Sequence, residues 1–369
     1  MQIHMFIAHL SLGGAERVCV NLANEFARNG HEVHIVVLNL KDDMNSAFLD
    51  SRVKVFPLCV SRLRYATVPM LRYIRKSRPP FLLVFGNEMA VILNKLKHLH
   101  LISTPLIERV LNNVEITLSK DDHISPVVEA YLKKAQIQMR QMNHIVAQCH
   151  GMEKMLLRNG LAQKGQITTI YNPVSNQIIE KTDQLRVPLM QRQKQRTKTI
   201  VFIGRIDPQK NLKDLIDAFK MLQEKMPDCV LELYGEGSLC DYYKEYVKKQ
   251  NLTDKIHFNG ISHHMEQVYA KADVVALSSD YEGMPNCLIE AIACGIPVVS
   301  YDCPLGPAEI IEDGVNGYLV EFHNREKLSE SLFDVLQNEW NEIRIKQSAQ
   351  KFQVQKIAKQ YLSIFEEIK

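Results

Sequence analysis

The 369-residue chain has no C-x-x-C pair, no apolar run long enough to span a bilayer and no G-x-G-x-x-G turn. Each absence removes a class of protein. The eight cysteines, Cys19, Cys59, Cys149, Cys229, Cys240, Cys287, Cys294 and Cys303, are scattered and mostly sit in apolar runs, a pattern of reduced thiols and not of disulfides or zinc. A spanning helix needs roughly 18 or more uncharged apolar residues in a row, and the sequence offers none. The opening "MQIHMFIAHLSLGGAER" has no basic flank before its short apolar run and no small-residue cleavage site after it, so it reads as a first strand. Without the glycine fingerprint, neither half reads as a dinucleotide dehydrogenase.

What is present is the composition of an ordinary globular protein, 46% apolar and 24% charged, at a length that implies two domains. The net charge of +3 is unevenly spread. Residues 1–180 hold 21 Lys and Arg against 14 Asp and Glu, and residues 181–369 hold 24 against 28. Residues 51–100 alone carry ten basic side chains and one acidic, which points to an anionic partner. In "SRLRYATVPMLRYIRKSRPPF", Arg62, Arg64, Arg72, Arg75, Lys76 and Arg78 interleave with Leu63, Tyr65, Met70, Leu71, Tyr73 and Ile74. Such a segment can lie on anionic lipid or be a solvated surface helix, and sequence alone weighs the two equally. Nucleic acid is a poorer partner, since no recognition motif accompanies the charge.

Both halves alternate short apolar runs with helical periodicity, the pattern of parallel α/β sheets. Residues 2–9, a glycine turn, a helix with Val18, Leu22 and Phe26 on one face, a stop at Asn29-Gly30 and the run "EVHIVVLNL" make a βαβ unit. "FLLVFG" (81–86), "TPLIERV" (104–110) and "HIVAQC" (144–149) follow as strands, with a helix expected over 126–142. The charged, Gln-rich stretch 181–198 reads as a linker. Alternation then restarts with "TIVFIGRI", "CVLELYGEG", "IHFNG", "DVVALSS" and "NGYLVEF" as strands, and helices over about 211–225, 263–271 and 286–293. This places a domain over 1–180, a second over 199–350 and a final helix over 351–369 that can pack back on the first.

Three glycine turns sit at strand ends. "GRIDPQKN" carries Gly204 with Arg205 and Lys210, two cations suited to a diphosphate near a helix N-terminus. "GGAE" carries Gly13 and Gly14, and "YGEGS" carries Gly235 and Gly237; either is equally a plain tight turn. In "SSDYEGMPNCLIEAIACGIPVVS", with Pro285 at the first helical position and Gly295 as the stop, Glu282 falls at the mouth of a helix and Glu290 inside it. Glu290 is flanked by Leu288, Ile289, Ala291 and Ile292, where a charge without a task would be costly.

Together these motifs resemble the retaining glycosyltransferases of family 4, whose fold is GT-B: α/β, with two Rossmann-like doubly wound domains facing a central cleft. The E-x7-E pair Glu282 and Glu290 is that family's most recognisable pattern. "GRIDPQKNL", "YGEGS", "GISHHMEQVYAKADVVALSS" and "DCPLGPAEIIEDGVNGYLV" continue the resemblance in order, and "SLGGAERVCVNLANEFARNGHEV" and "IYNPV" carry it into the first half. Residues 40–140 match only in pattern.

The resemblance implies that Arg205, Lys210 and Glu282 serve catalysis, the two cations neutralising the departing diphosphate and Glu282 holding the donor sugar. It implies that Glu290 binds the ribose and that the main chain at Gly283, Met284, Pro285, Asn286 and Cys287 contacts sugar and phosphate. Gly204, Gly235, Gly237, Ser238, Gly260, Ile261 and Ser262 frame the nucleotide, and Gly13 and Gly14 let the first domain approach the diphosphate. No metal and no cofactor beyond the UDP-sugar donor is implied. Many relatives place a histidine after the strand matching "TPLIERV"; here the segment reads "ERVLNN", with Glu108, Arg109, Asn112 and Asn113, and neither these nor His150 can be assigned to the acceptor.

The expected function is retaining, metal-independent transfer of a hexose or N-acetylhexosamine from a UDP-sugar to a glycan acceptor linked to polyprenyl diphosphate or lipopolysaccharide. The setting would be bacterial lipopolysaccharide, O-antigen or capsule synthesis, with the enzyme cytoplasmic and peripheral at the inner membrane face. A non-catalytic nucleotide-sugar sensor and a GT-B nucleotide-sugar isomerase are the alternatives, and the intact E-x7-E pair argues against both.

Overall fold

The computed structural model describes residues 1–11, 13–41, 45–111, 137–186 and 197–368. Part of the expected 126–142 helix, most of the 181–198 stretch, and Asn112 and Asn113 lie outside these. The chain divides into two compact units, Met1–Pro173 with Val354–Lys369, and Val174–Gln353.

The first unit runs β1 (Gln2–Phe6), α1 (Gly14–Arg28), β2 (Glu32–Val37), β3 (Lys54–Pro57), α2 (Thr67–Ser77), β4 (Leu82–Phe85), α3 (Asn87–His98), β5 (Leu106–Arg109), β6 (His144–Ala147), α4 (His150–Arg158) and β7 (Ile167–Thr169). Its seven strands are ordered β3-β2-β1-β4-β5-β6-β7 and all pair in parallel, with Met5 opposite Ile35 on one side and Leu83 on the other. β4, β5 and β6 are buried along their whole length, as strands covered on both faces must be. That explains the unbroken apolar run of β4, whereas β5 ends in the buried charges Glu108 and Arg109 and β6 begins with His144. β3 was not expected: it is a four-residue edge strand with half-exposed side chains and a terminal proline, so it lacks the apolar signal of the others.

The second unit runs α5 (Asn176–Leu185), β8 (Lys198–Ile203), α6 (Leu212–Lys225), β9 (Cys229–Tyr234), α7 (Cys240–Lys249), β10 (Ile256–Phe258), α8 (Met265–Lys271), β11 (Val274–Leu277), α9 (Asn286–Ala293), β12 (Val298–Tyr301), α10 (Pro307–Ile310), β13 (Gly317–Val320), α11 (Arg325–Gln337) and α12 (Glu342–Ser348). Its six parallel strands are ordered β10-β9-β8-β11-β12-β13. The strand order therefore reverses between β8 and β11, and in such sheets the ligand crevice opens beyond the carboxyl ends at that point.

The division falls at Pro173 and Val174, not in the 181–198 stretch, because α5 has its partners in the second unit. Ser175 caps α5 by accepting the Gln177 amide at 3.2 Å, and Asp183 takes the Lys346 ammonium at 2.7 Å. α5 packs on α8 and α9. The final helix, α13 (Val354–Ile368), returns to the first unit and packs on α1. Its buried residues Val354, Ile357, Ala358, Tyr361, Ile364 and Phe365 recur at helical spacing. Phe365 stacks on Phe81 at 4.4 Å between ring centroids. No described helix is long and apolar enough to cross a membrane.

Candidate active site

Beyond the carboxyl ends of β8, β9 and β10, three turns are stitched together by the main chain. Gly204 donates its amide to the Tyr234 carbonyl at 3.0 Å, Ile206 to Glu236 at 3.0 Å, and Gly235 to Gly260 at 2.8 Å. These bonds continue the parallel ladder past the strands and leave no room for side chains. A Cβ on Gly235 would overlap the Gly204 carbonyl oxygen, and Gly235 also holds φ +138°. A Cβ on Gly237 would overlap the Ile206 carbonyl. The Ser238 amide and hydroxyl both donate to Asp207 Oδ1 at 3.1 Å, and Ile261 is exposed beside Gly260.

The turn after β8 is also tied to the turn after β11, across the point where strand order reverses. Ser278 donates to the Asn211 carbonyl at 2.9 Å, the Asp280 amide to the Gln209 carbonyl at 2.9 Å, and the Gln209 side chain to the Tyr281 carbonyl at 2.9 Å. Between these ties lies the ion pair Lys210 Nζ to Glu282 Oε1 at 2.5 Å, with side chains only 13% and 7% exposed. Ser279 donates to the same carboxylate oxygen at 2.6 Å. Burial pulls the Lys210 ammonium toward neutrality, but the Glu282 charge outweighs it and its pKa stands above the usual lysine value. A full cation is thus held at the switch point. Arg205, by contrast, is 72% exposed and, among the described residues, pairs only with the Asp207 carboxylate at 3.3 Å.

α9 packs against β11, β12, α5, α10 and α12, and residues 287–293 are all buried. Pro285 is its N-cap residue, one position earlier than expected, with Asn286 beginning the helix. The Gly283, Met284 and Pro285 segment is buried against the loop after β12: the Glu282 amide donates to the Pro304 carbonyl, and Gly306, at φ +83°, passes close to the Gly283 carbonyl. Glu290 is 6% exposed, and its Oε2 accepts the Tyr269 hydroxyl at 2.7 Å. The Cys287 thiol is pushed up to about 12 by burial, against the pull of the Lys210 ammonium. Tyr269, Ser279 and Gln209 have no sequence signal, because a tyrosine on an apolar helix face reads as core and the partner appears only on folding.

Gly13 and Gly14 lie in the first unit. Gly13 is the N-cap residue of α1, and the Glu16 carboxylate occupies the place where a Cβ on Gly13 would stand. Arg109 is fully buried and donates to the Ile170 carbonyl at 3.5 Å, to Tyr361 and to Asn172, so it braces the interior of this unit. Its neighbour Glu108 is 1% exposed, with Oε1 lacking a hydrogen-bond partner among the described residues, and burial pushes its pKa up to about 7. His150 begins α4 with its side chain mostly exposed, 3.6 Å from Glu153.

Two family models match. "Glycosyltransferase Family 4" covers residues 12–177, and "Glycosyl transferases group 1" covers residues 190–352. The N-acetyl-alpha-D-glucosaminyl L-malate synthase of Bacillus anthracis is 22% identical, over 97% of this chain and 95% of the relative. The N-acetylgalactosamine-N,N'-diacetylbacillosaminyl-diphospho-undecaprenol 4-alpha-N-acetylgalactosaminyltransferase of Campylobacter jejuni is 25% identical, over 92% and 91%. The structure of Anabaena Alr3699/HepE in complex with UDP and glucose shares the fold over 100% of both chains, at 20% identity and a TM-score of 0.77. With its two parallel α/β units and its E-x7-E helix, the chain belongs to the family 4 glycosyltransferases and has the GT-B fold.

Proposed function

We propose that the chain is a retaining, metal-independent transferase that moves a hexose or N-acetylhexosamine from a UDP-sugar to a lipid-linked glycan during bacterial surface polysaccharide synthesis. The observation that carries this reading is the buried Lys210 and Glu282 pair at the switch point of the second unit, beside turns that glycine keeps open to a ligand. Lys210 and Arg205 face the diphosphate. Both hydrogen bonds to Glu282 fall on Oε1, which leaves Oε2 for the sugar hydroxyls. Glu290 takes the ribose, and the main chain of Gly283, Met284, Pro285 and Asn286 contacts sugar and phosphate.

In the reaction, the bond from the anomeric carbon to the diphosphate breaks and an acceptor hydroxyl oxygen bonds to the same face of that carbon. Its proton passes to the departing phosphate, so no separate base is required. Charge grows on the leaving group as the bond breaks, and one preorganised partner for such charge contributes about 3 to 4 kcal/mol.

The lipid-linked acceptor is supported by α2 and the turn before it. Arg62, Arg64, Arg72, Arg75, Lys76 and Arg78 are exposed, and none makes an ion pair among the described residues. Tyr65 and Val68 add exposed apolar surface, while Met70 and Ile74 bury the opposite face. Each such cation near an anionic bilayer is worth about 1 kcal/mol. The name of the Campylobacter relative, which specifies an undecaprenol-linked acceptor, agrees with this.

The test is mass spectrometry of products after incubating the protein in EDTA with a UDP-sugar panel and polyprenyl-diphosphate glycans in vesicles. One donor is expected to add one sugar mass to the lipid-linked glycan, faster in anionic than in zwitterionic vesicles. Hydrolysis or epimerisation of the donor without transfer would overturn the reading.

A further inference from the structure

Glu290 presents a physical problem that the donor site does not solve by itself. It is a carboxylate in a helix buried at every position from 287 to 293, and such a group is fixed in place only if hydrogen bonds hold it. Tyr269 supplies one of them. Its side chain is fully buried in α8, and its hydroxyl lies 2.7 Å from Glu290 Oε2.

The end of α8 that carries Tyr269 is in turn held from outside the helix. The Arg186 guanidinium, with a side chain only 3% exposed, donates from Nη1 to the carbonyls of Tyr269 at 3.3 Å and Ala272 at 3.4 Å. Its Nε reaches Glu342 Oε1 on α12 at 3.3 Å. A cation against the last carbonyls of a helix is electrostatically favoured, and here it also removes the freedom of a seven-residue helix to shift. Arg186 thus fixes the α8 terminus, and the α8 terminus fixes where the Tyr269 hydroxyl points.

We propose that Tyr269 is a positioning residue for nucleotide recognition: by holding one oxygen of Glu290 it presents that carboxylate to the ribose hydroxyls of a nucleoside diphosphate in a single orientation. The proposal rests on the assignment of Glu290 to the ribose. A hydroxyl that served only to fill the core would not change how binding depends on the sugar hydroxyls. A positioning hydroxyl does, because without it the carboxylate is no longer held toward them.

The experiment is calorimetric titration of wild type, Tyr269→Phe and Glu290→Ala with UDP and with 2′,3′-dideoxy-UDP. Tyr269→Phe is expected to weaken UDP binding by roughly tenfold, the usual effect of a hydrogen bond to a charged group. The loss should vanish with the dideoxy analogue. Wild-type affinity for UDP, with only a lowered melting temperature, would overturn the proposal. So would an equal loss for both ligands. If Glu290→Ala binds UDP like wild type, the ribose assignment fails and this proposal with it; a loss in Glu290→Ala alone overturns the proposal and leaves the assignment standing. Should Tyr269→Phe not fold, Arg186→Gln, which frees the α8 terminus and keeps the hydroxyl, is expected to show the same ribose-dependent loss. Unchanged affinity in that variant would overturn it.

Discussion

Lys210 and Glu282, the pair proposed for the donor site, also bear on the fold. Each is nearly buried, so each depends on the other to offset the cost of leaving water. Lys210→Ala is therefore expected to lower unfolding free energy by about 3 to 5 kcal/mol, since it strands a buried carboxylate. Adding Glu282→Gln should restore much of that stability but not turnover. Denaturant titration decides it, and a loss below about 1 kcal/mol in Lys210→Ala would mean the pair is not buried as described. At this scale the sequence was partly legible. Glu290 stood out because a carboxylate among Leu288, Ile289, Ala291 and Ile292 conflicts with its surroundings, and Glu282 because it completes the E-x7-E pattern with it. Tyr269, Ser279 and Gln209 did not stand out, because each is unremarkable until folding brings its partner within reach. The same holds for Arg109: its position beside Glu108 says nothing of the buried contacts with Asn172 and Tyr361.

Among the elements, α2 is docked on its sheet by a polar contact as well as by Met70 and Ile74. The Tyr73 hydroxyl lies 2.8 Å from His4 Nδ1 and 3.1 Å from His34 Nδ1, and it can donate to only one of them. His34 Nε2 meets Glu32 at 3.1 Å. If His34 donates there, Tyr73 donates to His34 Nδ1 and accepts from His4 Nδ1, which leaves His4 Nε2 unprotonated, consistent with its lack of a partner. Burial, then the neighbouring His34, pulls His4 down to about 4, whereas burial pushes Glu108 on β5 up to about 7. The signs oppose. Unfolded His4 takes a proton near 6.5 that the folded unit refuses until about 4, so stability from this group is lost as pH falls through that window. Folded Glu108 keeps a proton that the unfolded chain releases near 4.5, so its stability is lost as pH rises toward 7. Each is worth on the order of 3 kcal/mol, and the two largely cancel between these limits. His4→Gln should therefore give a unit whose stability falls with rising pH, and Glu108→Gln one whose stability rises with it. Flat profiles in both variants, followed by chemical denaturation, would contradict the assignment. The strands were legible because parallel strands buried on both faces leave unbroken apolar runs, and β3 was missed because an edge strand does not.

At the scale of the whole molecule, two similar sheets share one chain that leaves the first unit at Pro173 and returns to it at Val354. The Val174 amide donates to the Phe352 carbonyl at 2.8 Å, so the outgoing and returning segments lie side by side. The alternation of strand and helix announced two α/β units, but not where they divide. A charged, Gln-rich stretch looks like a connection, whereas the actual change of partners occurs earlier, at a proline followed by a capped helix whose apolar face belongs to α8 and α9. The proposed donor site lies in the second unit, beyond the carboxyl ends of β8 and β11, where strand order reverses. Amide hydrogen exchange with and without UDP tests this most directly. UDP is predicted to slow exchange in residues 204–211, 235–239, 260–262 and 282–288. Protection confined to other segments, or none at saturating UDP, would contradict the account.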